Sequence, residues 1–212
     1  MRMTERQPSL EELRKSELFA KLWKFGQEHS FEEKHALQVT RLSLELFDLL
    51  VPVHRLGEAE RKLLFSAALL HDVGLCRGLS GHHKSSLEII LSAELAPLSD
   101  RERRLVANIA RYHRKAHPKK KHDHFAALAE AEQEKVSRAA ALLRIADALD
   151  RTHEDIVKDL DVEMSTKKIR IKAVSPRELE PEGDALRKKG QLFEELFGLK
   201  VSLEAVRPRG ER

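Results

Sequence analysis

The sequence predicts a mainly α-helical protein that ends in a small β-β-α-β module. Capping boxes predict helix starts at Ser9, Ser30 and Ser99, because each serine is followed three residues later by a glutamate and then by an apolar helical pattern. After Asp159 the pattern changes to an alternation of apolar and polar residues, which is typical of strands. Aromatic residues make up only 5% of the chain, so its core must consist mainly of aliphatic side chains.

The remaining elements follow from periodicity and from helix-breaking residues. In the C-terminal part, strands around Val162 and Ile171 are predicted to join at a turn near Thr166, and another strand begins at Leu199. We predict a helical domain over residues 1–158, an α/β module over 159–206 and a tail over 207–212. The predicted helices cover about residues 10–25, 31–50, 58–71, 86–92, 100–112, 132–150 and 182–196.

Charge and composition restrict the class of partner. The net charge of +4 suits a phosphate-bearing partner but is small for a protein that binds duplex DNA. One Tyr and one Trp leave few rings to stack on unpaired bases, so nucleic acid is not the expected partner. No apolar run approaches the roughly 20 residues that cross a bilayer. We expect a cytoplasmic protein that does not bind membranes, and a homodimer is an open alternative.

Residue types that bind metals lie on the apolar faces of several predicted helices. His35 shares a face with Val39 and Leu42, and Asp147 shares one with Leu143. A single histidine on such a face is more often a packed core residue, and either Arg144 or Arg151, each within about one turn, could neutralise Asp147. Buried carboxylates are nevertheless costly unless they are paired, and their joint placement with histidines favours a shared cation. Imidazole and carboxylate ligands suit Mn, Fe, Ni or Zn better than Ca or Mg.

The spacing of these residues resembles a known family. His35, the pair His71-Asp72 and Asp147 follow the pattern of the HD superfamily of metal-dependent phosphohydrolases. The segments LLHDVGL, GHHKSS, IARYHRKAHP and SRAAALLRIADALDR are more narrowly similar to the C-terminal HD region of the exopolyphosphatase and guanosine pentaphosphate phosphatase family. The resemblance covers about residues 30–205 and implies an HD-domain helical bundle for the helical part.

The resemblance also implies a set of site residues. One or two divalent ions (Mn, Fe, Ni, Zn or Mg) are expected, and Asp72 would bridge them if two bind. His82 is an alternative to His83, and Ser85 stands where the narrower family has another histidine. The implied metal ligands are His35, His71, Asp72, His83, His113 and Asp147. The candidates for proton transfer are Asp72, His83 and His113.

Basic residues near the implied ligands are candidates to bind phosphate. These are Lys84, Arg114, Lys115 and Arg144. Together with the ligands they predict an HD-type phosphohydrolase that acts on a nucleotide or another small phosphorylated compound. The larger family carries its phosphatase site in actin-like domains, for which 212 residues leave no room, so exopolyphosphatase activity does not follow. A non-catalytic module that binds nucleotides or polyphosphate, and a dimerisation module, are the alternatives.

Overall fold

The computed structural model describes residues 7–208, and helices occupy most of the first 150 residues. The connection between the fifth and sixth helices is a 3-10 helix, Val73–Arg77. In chain order the α-helices of this part are α1 (Leu10–Leu13), α2 (Glu17–Glu28), α3 (Glu33–Leu49), α4 (Val51–His54), α5 (Glu58–Leu70), α6 (His82–Ser92), α7 (Asp100–Arg111), α8 (Asp123–Ala126) and α9 (Glu130–Leu149).

Helices α3, α5, α7 and α9 form the centre of the fold. They pack in the cyclic order α3, α5, α7 and α9, with a further contact between α5 and α9, and α6 packs against α7. Their facing side chains are almost entirely aliphatic, and Leu42, Leu64, Val106 and Leu143 are fully buried among them. The small number of aromatic residues therefore has the predicted consequence of a core built from Leu, Ile, Val and Ala.

Two of the three predicted capping boxes are confirmed. The hydroxyl groups of Ser9 and Ser99 accept hydrogen bonds from the third residue of α1 and of α7, and the glutamates there bond back to the serine N–H groups. The prediction at Ser30 is wrong. Its backbone has φ 52°, and α3 begins later, after Glu32, without a side-chain cap.

The predicted first helix, residues 10–25, is two helices. The hydroxyl of Ser16 accepts a hydrogen bond from the N–H of Phe19 at 3.1 Å, so it caps a new helix after α1. The helix also continues past Gly26, where the sequence predicted its end. A side chain at Gly26 would collide with the ring of Phe31, so this glycine serves close packing rather than termination.

Helix α6 begins earlier than the predicted residue 86, at His82. The residue before it, Gly81, has a left-handed backbone with φ 75°, a conformation that glycine adopts without strain. The 3-10 helix crosses α6 closely at Gly74, whose N–H donates to the hydroxyl of Ser86 at 3.0 Å. A Cβ at Gly74 would lie 2.1 Å from the carbonyl oxygen of His82. This contact fixes the start of α6 beside the end of α5.

The C-terminal part forms a three-stranded sheet with two helices. The strand order is β1-β2-β3, in which β1 and β2 are antiparallel and β2 and β3 are parallel. Residues Ile169, Ile171 and Ala173 alternate on the buried face of β2, as the sequence pattern predicts. The elements are β1 (Asp159–Met164), β2 (Lys168–Val174), α10 (Glu180–Lys189), α11 (Gln191–Phe197) and β3 (Lys200–Val206).

This arrangement confirms a mainly helical fold with a small β module near its C-terminus. The helix predicted over residues 182–196 is divided at Gly190, whose close packing against the carbonyl of Leu186 leaves no room for a Cβ. Gly198, with φ 67°, ends α11 as predicted. Helix α10 lies against α9, and β1 contacts α3. The proposed boundary between residues 158 and 159 coincides with the start of β1 and stays a prediction.

Two further predictions concern the chain as a whole. In residues 7–208, no single helix is long and apolar enough to cross a membrane. Two consecutive segments, Glu58–Arg77 and His82–Ser92, have the length and composition of a span only when taken together, and they meet at a bend of 110°. The predicted tail begins directly after β3, and its residues 209–212 lie outside the described part of the chain.

Candidate metal centre

Six histidine and aspartate side chains meet at one end of the four central helices. Each lies at or beside the end of a helix. They form two groups whose nitrogen and oxygen atoms lie close enough to share a cation. The first group is His35, His71 and Asp147, and the second is Asp72, His82 and His113.

The first group joins α3, α5 and α9. Nε2 of His35 lies 3.3 Å from Nε2 of His71 and 3.7 Å from Oδ1 of Asp147. Metal–nitrogen bonds of about 2.1 Å place two ligands of a tetrahedral ion about 3.4 Å apart. The separations in this group therefore match those between ligands of one ion.

The second group joins α6, the end of α7 and the start of the 3-10 helix. Nε2 of His82 lies 3.3 Å from Nε2 of His113 and 3.1 Å from Oδ1 of Asp72. The other oxygen of Asp72, Oδ2, lies 3.5 Å from Nε2 of His71 in the first group. The carboxylate of Asp72 thus stands between the two groups with one oxygen toward each, the position expected for a bridging ligand.

The outer nitrogen of each of the four rings faces a hydrogen-bond acceptor. Nδ1 of His71, His82 and His113 lies 2.7, 3.0 and 2.8 Å from the carbonyl oxygens of Ala68, Leu79 and Ala110. Nδ1 of His35 lies 2.7 Å from Oδ2 of Asp150. These acceptors hold the ring proton on Nδ1 and turn the Nε2 lone pair toward the centre, as partners of metal-binding histidines commonly do.

The donor set fits a divalent cation. Oδ1 of Asp72 is buried and has no hydrogen-bond partner among residues 7–208. Nε2 of His82 approaches it to 3.1 Å, while Nδ1 of the same ring faces the carbonyl oxygen of Leu79 at 3.0 Å. A cation between them would satisfy both the carboxylate and the nitrogen. Nitrogen and oxygen ligands in such a mixture are typical of sites for Mn, Fe, Ni or Zn.

Burial and charge shift the pKa values of these groups in opposite directions. Burial lowers the pKa of His71, and it lowers that of His113 to about 3, so both rings are neutral at physiological pH. Burial also acts on His35, but the carboxylates of Asp150, Asp147 and Asp72 outweigh it and raise the pKa. Without a metal, the carboxylates thus favour the positively charged form of the His35 ring. A bound ion would supply this positive charge instead.

Both central aspartates stay ionised. Burial alone would raise the pKa of Asp72, but the surrounding imidazoles of His71, His82 and His113 hold it well below its usual range. The pKa of Asp147 is also lowered despite burial, chiefly by the ammonium group of Lys189. Two negative charges therefore persist in a buried centre, a state that favours binding of cations.

The structure places His82, and not His83, in the second group. Successive residues on a helix point about 100° apart, so only one of the two adjacent side chains can face the centre. His83 is half-buried, and its ring centroid lies 6.2 Å from that of His82 and 6.5 Å from that of His113. Burial and the charge of Arg111 lower its pKa to about 4. Because α6 already begins at His82, the side of this helix that faces the centre is the side that carries His82.

A cleft of about 700 Å³ opens beside the two groups. Asp72, His82, His113 and Asp147 form part of its wall, so the centre is accessible from solvent. The other lining residues are Leu75, Leu79, Arg114, Lys115, His117, Arg144, Arg151, His153, Pro181, Asp184, Ala185, Lys188, Lys189 and Gln191.

The four predicted phosphate contacts differ in their surroundings. Arg114 and Lys115 line the cleft, and Nη1 of Arg114 lies 3.1 Å from Nε2 of His82. Arg144 also lines it, but its guanidinium donates to the carbonyl oxygens of Tyr112 and Lys189, both at 3.0 Å. Lys84 is exposed and is not among the lining residues, so the structure does not place it at the cleft.

Three residues near the centre were missed by the sequence prediction. Asp150 lies one turn beyond Asp147 on the same helix face, a spacing that could have identified it. His153 stacks on the ring of His35 at 3.7 Å with an interplanar angle of 2°, and it lies in an irregular segment without periodicity. Lys189 belongs to a basic run at the end of α10 that resembles any solvated helix surface.

Comparison with known protein families gives a match over most of the chain. A sequence model described as Ppx/GppA phosphatase, domain III, matches residues 20–188 of this chain. The match includes every residue of both groups and Lys188, and it ends one residue before Lys189. A search of curated proteins found no match. Because the matched region covers well over half of the chain, the protein belongs to the Ppx/GppA phosphatase domain III family.

Proposed function

We propose that this protein is an HD-type metal-dependent phosphohydrolase that acts on a nucleotide or another small phosphorylated compound. The observation that carries the proposal is the position of Asp72. Its two oxygens face the two histidine groups, 3.5 Å from His71 and 3.1 Å from His82. A carboxylate shared between two sets of imidazoles is suited to hold one or two divalent ions at the wall of an open cleft.

The HD assignment is part of the proposal. It requires that His35, His71, Asp72 and Asp147 hold one ion together, and their tips lie within 4 Å of a neighbour in the set. The distances support this assignment because a structural histidine would be satisfied by one partner and would not need a convergent set. His82 and His113 would hold the second ion.

The cleft supplies positive groups for a phosphorylated substrate. A divalent ion bound in the centre would supply Lewis acidity and make an attacking water more acidic. Arg114 and Lys115 lie on the same wall as His113 and would hold phosphoryl oxygens against the centre. Among the proposed proton acceptors, Asp72 and His113 line the cleft whereas His83 does not, which favours the first two.

One observation favours a non-catalytic alternative. Asp147 forms an ion pair with Lys189 inside the protein. The negative charge of one of the two aspartates in the centre is therefore already balanced without a metal. In that case the basic side chains of the cleft would bind nucleotide or polyphosphate anions through Arg114, Lys115 and their neighbours, and no hydrolysis would follow. A role in dimerisation stays a further prediction.

The test combines metal content with activity. Purified protein is assayed for bound metal and for hydrolysis of a panel of phosphorylated metabolites with added Mn, Fe, Ni, Zn or Mg. We expect one or two bound ions and metal-stimulated hydrolysis, which H71A/D72A abolishes while its circular dichroism stays helical. The matched control is D123A/H124A, an adjacent acidic and histidine pair on the exposed surface of α8. Activity that survives in H71A/D72A would overturn the proposal, and metal-free protein that binds polyphosphate would favour the alternative.

A further inference from the structure

Lys189, the last residue of α10, reaches from the C-terminal module into the candidate metal centre. Its ammonium group pairs with Oδ2 of Asp147, which lies in the last turn of α9. The side chain of Asp147 is only 9% exposed and that of Lys189 only 20%, so this pair is shielded from water and from salt. The electrostatic attraction between these two charges is therefore stronger than in a solvent-exposed ion pair with the same separation.

The backbone of Lys189 is anchored separately from its ammonium group. Nε of Arg144 donates to the carbonyl oxygen of Lys189 at 3.0 Å, and Nη1 of the same guanidinium donates to Tyr112. Arg144 thereby ties the end of α10 to the end of α7. Because the anchor holds the main chain, the flexible side chain of Lys189 can change partners without displacing the helix.

Asp147 faces two sources of positive charge. Oδ2 contacts Lys189, while Oδ1 lies 3.7 Å from Nε2 of His35 in the first metal group. A divalent ion in that group would add positive charge within a few ångströms of the ammonium group. Two cations on one carboxylate repel each other, so the ion and Lys189 must compete for Asp147. The cleft that Lys189 lines offers the ammonium group space to turn toward a bound anion.

We propose that Lys189 acts as an internal cation, which neutralises Asp147 in the metal-free protein and binds phosphate in the cleft once a divalent ion occupies the centre. This inference rests on the proposed function and adds a residue of the C-terminal module to its site. It assigns the module a direct part in binding substrate. It gives Lys189 the phosphate contact that was predicted for Arg144, whose guanidinium is engaged with main-chain carbonyls.

The first experiment measures the affinity of the metal-free protein for Mn²⁺ by calorimetry. K189M keeps the length of the side chain and removes its charge, so Mn²⁺ no longer has to displace a cation. We expect K189M to bind Mn²⁺ about tenfold more tightly than the unmodified protein. K188M, which removes the neighbouring positive charge in the same cleft, should leave the affinity nearly unchanged. Equal or weaker binding by K189M would overturn the inference.

A second measurement follows thermal unfolding. Without metal, K189M leaves Asp147 as an unpaired buried charge and should melt at a lower temperature than the unmodified protein and K188M. Saturating Mn²⁺ should remove most of this difference because the ion then neutralises Asp147. If K189M unfolds at the same temperature as the unmodified protein in the absence of metal, the pair has no structural role and the inference fails.

The third measurement uses inorganic phosphate as the probe of the cleft. With Mn²⁺ bound, K189M should bind phosphate about tenfold more weakly than the unmodified protein, since one charged partner is lost. Unchanged phosphate binding would overturn this part. The three results do not depend on turnover: if they hold while no substrate is hydrolysed, the phosphohydrolase proposal fails and the exchange of cations stands. If the unmodified protein and K189M both fail to bind Mn²⁺, both proposals are wrong.

Discussion

Asp150 accepts a hydrogen bond from Nδ1 of His35 at 2.7 Å. It lies at the end of α9, one turn beyond Asp147, whose Oδ1 faces the opposite nitrogen of the same ring. The two aspartates therefore hold His35 between them, one in the position of a ligand and the other behind the ring. Because a carboxylate at Nδ1 orients the ring and makes Nε2 a better donor, Asp150 should control metal affinity without touching the ion.

Removal of this carboxylate gives the first prediction. D150A should weaken Mn²⁺ binding by about 10- to 100-fold, as loss of a hydrogen-bond partner behind a ligand commonly does. D150N should recover part of the loss because its amide oxygen can still accept from Nδ1. Calorimetric titration of metal-free protein measures both. An unchanged affinity in D150A would show that His35 does not bind the ion.

The register of α6 gives the second prediction. H82A should remove one equivalent of bound metal or weaken its binding, because Nε2 of His82 faces both Asp72 and His113. H83A should retain the metal content of the unmodified protein, since its side chain lies outside both groups. Elemental analysis of the two purified variants distinguishes them. Loss of metal in H83A with retention in H82A would support the assignment made from the sequence.

The close approach at Gly74 gives the third prediction. In G74A the new Cβ would lie 2.1 Å from the carbonyl oxygen of His82 and 2.4 Å from the nitrogen of Ser86, both main-chain atoms of α6. The free energy of unfolding should fall by about 1–3 kcal/mol or more, and metal binding should weaken because α6 must move. Chemical denaturation measures the first effect.

A matched glycine substitution in α10 serves as the control. At Gly183 the nearest atom to a new Cβ is 3.9 Å away, on the side chain of Arg187. G183A should raise the free energy of unfolding by about 0.5–1 kcal/mol, because alanine loses less backbone entropy in a helix. If G74A were as stable as G183A, the contact between the 3-10 helix and α6 would not be as close as described.

His54 gives a prediction about pH that is independent of the metal. This fully buried residue lies at the end of α4, where its Nε2–H donates to the carbonyl oxygen of Phe47 at 2.7 Å and its Nδ1 accepts from the N–H of Leu56 at 2.9 Å. Burial lowers the pKa of His54 from its ordinary 6.5. The folded state therefore favours the neutral ring, which is the form that can accept from Leu56.

The sign of the effect follows from the lowered pKa. The stability that His54 contributes is fully present above pH 6.5 and is lost as the pH falls from there toward its pKa in the folded protein. H54Q should lower the free energy of unfolding by about 1–3 kcal/mol at pH 8, and the difference from the unmodified protein should shrink at pH 5. Denaturation of metal-free protein at both values measures it, and a difference that does not depend on pH would contradict the prediction.

The sequence by itself determined the class of the fold and most of the residues at its centre. Apolar periodicity predicts which side of a helix is buried, and His35, His113 and Asp147 lie on that side at the end of a stripe. This is information about one helix at a time, and it is local. The same holds for the capping boxes at Ser9 and Ser99, where partners three residues apart decide the outcome.

Only the tertiary structure decided how the helix ends meet. The choice of His82 over His83 depends on where α6 begins, and that start is fixed by its contact with Gly74 rather than by any residue within the helix. Lys189 reaches Asp147 because α10 packs against α9, 42 residues away along the chain. Periodicity gives the direction of a side chain around its own helix axis, but distances between side chains of different helices depend on packing, which no local pattern contains.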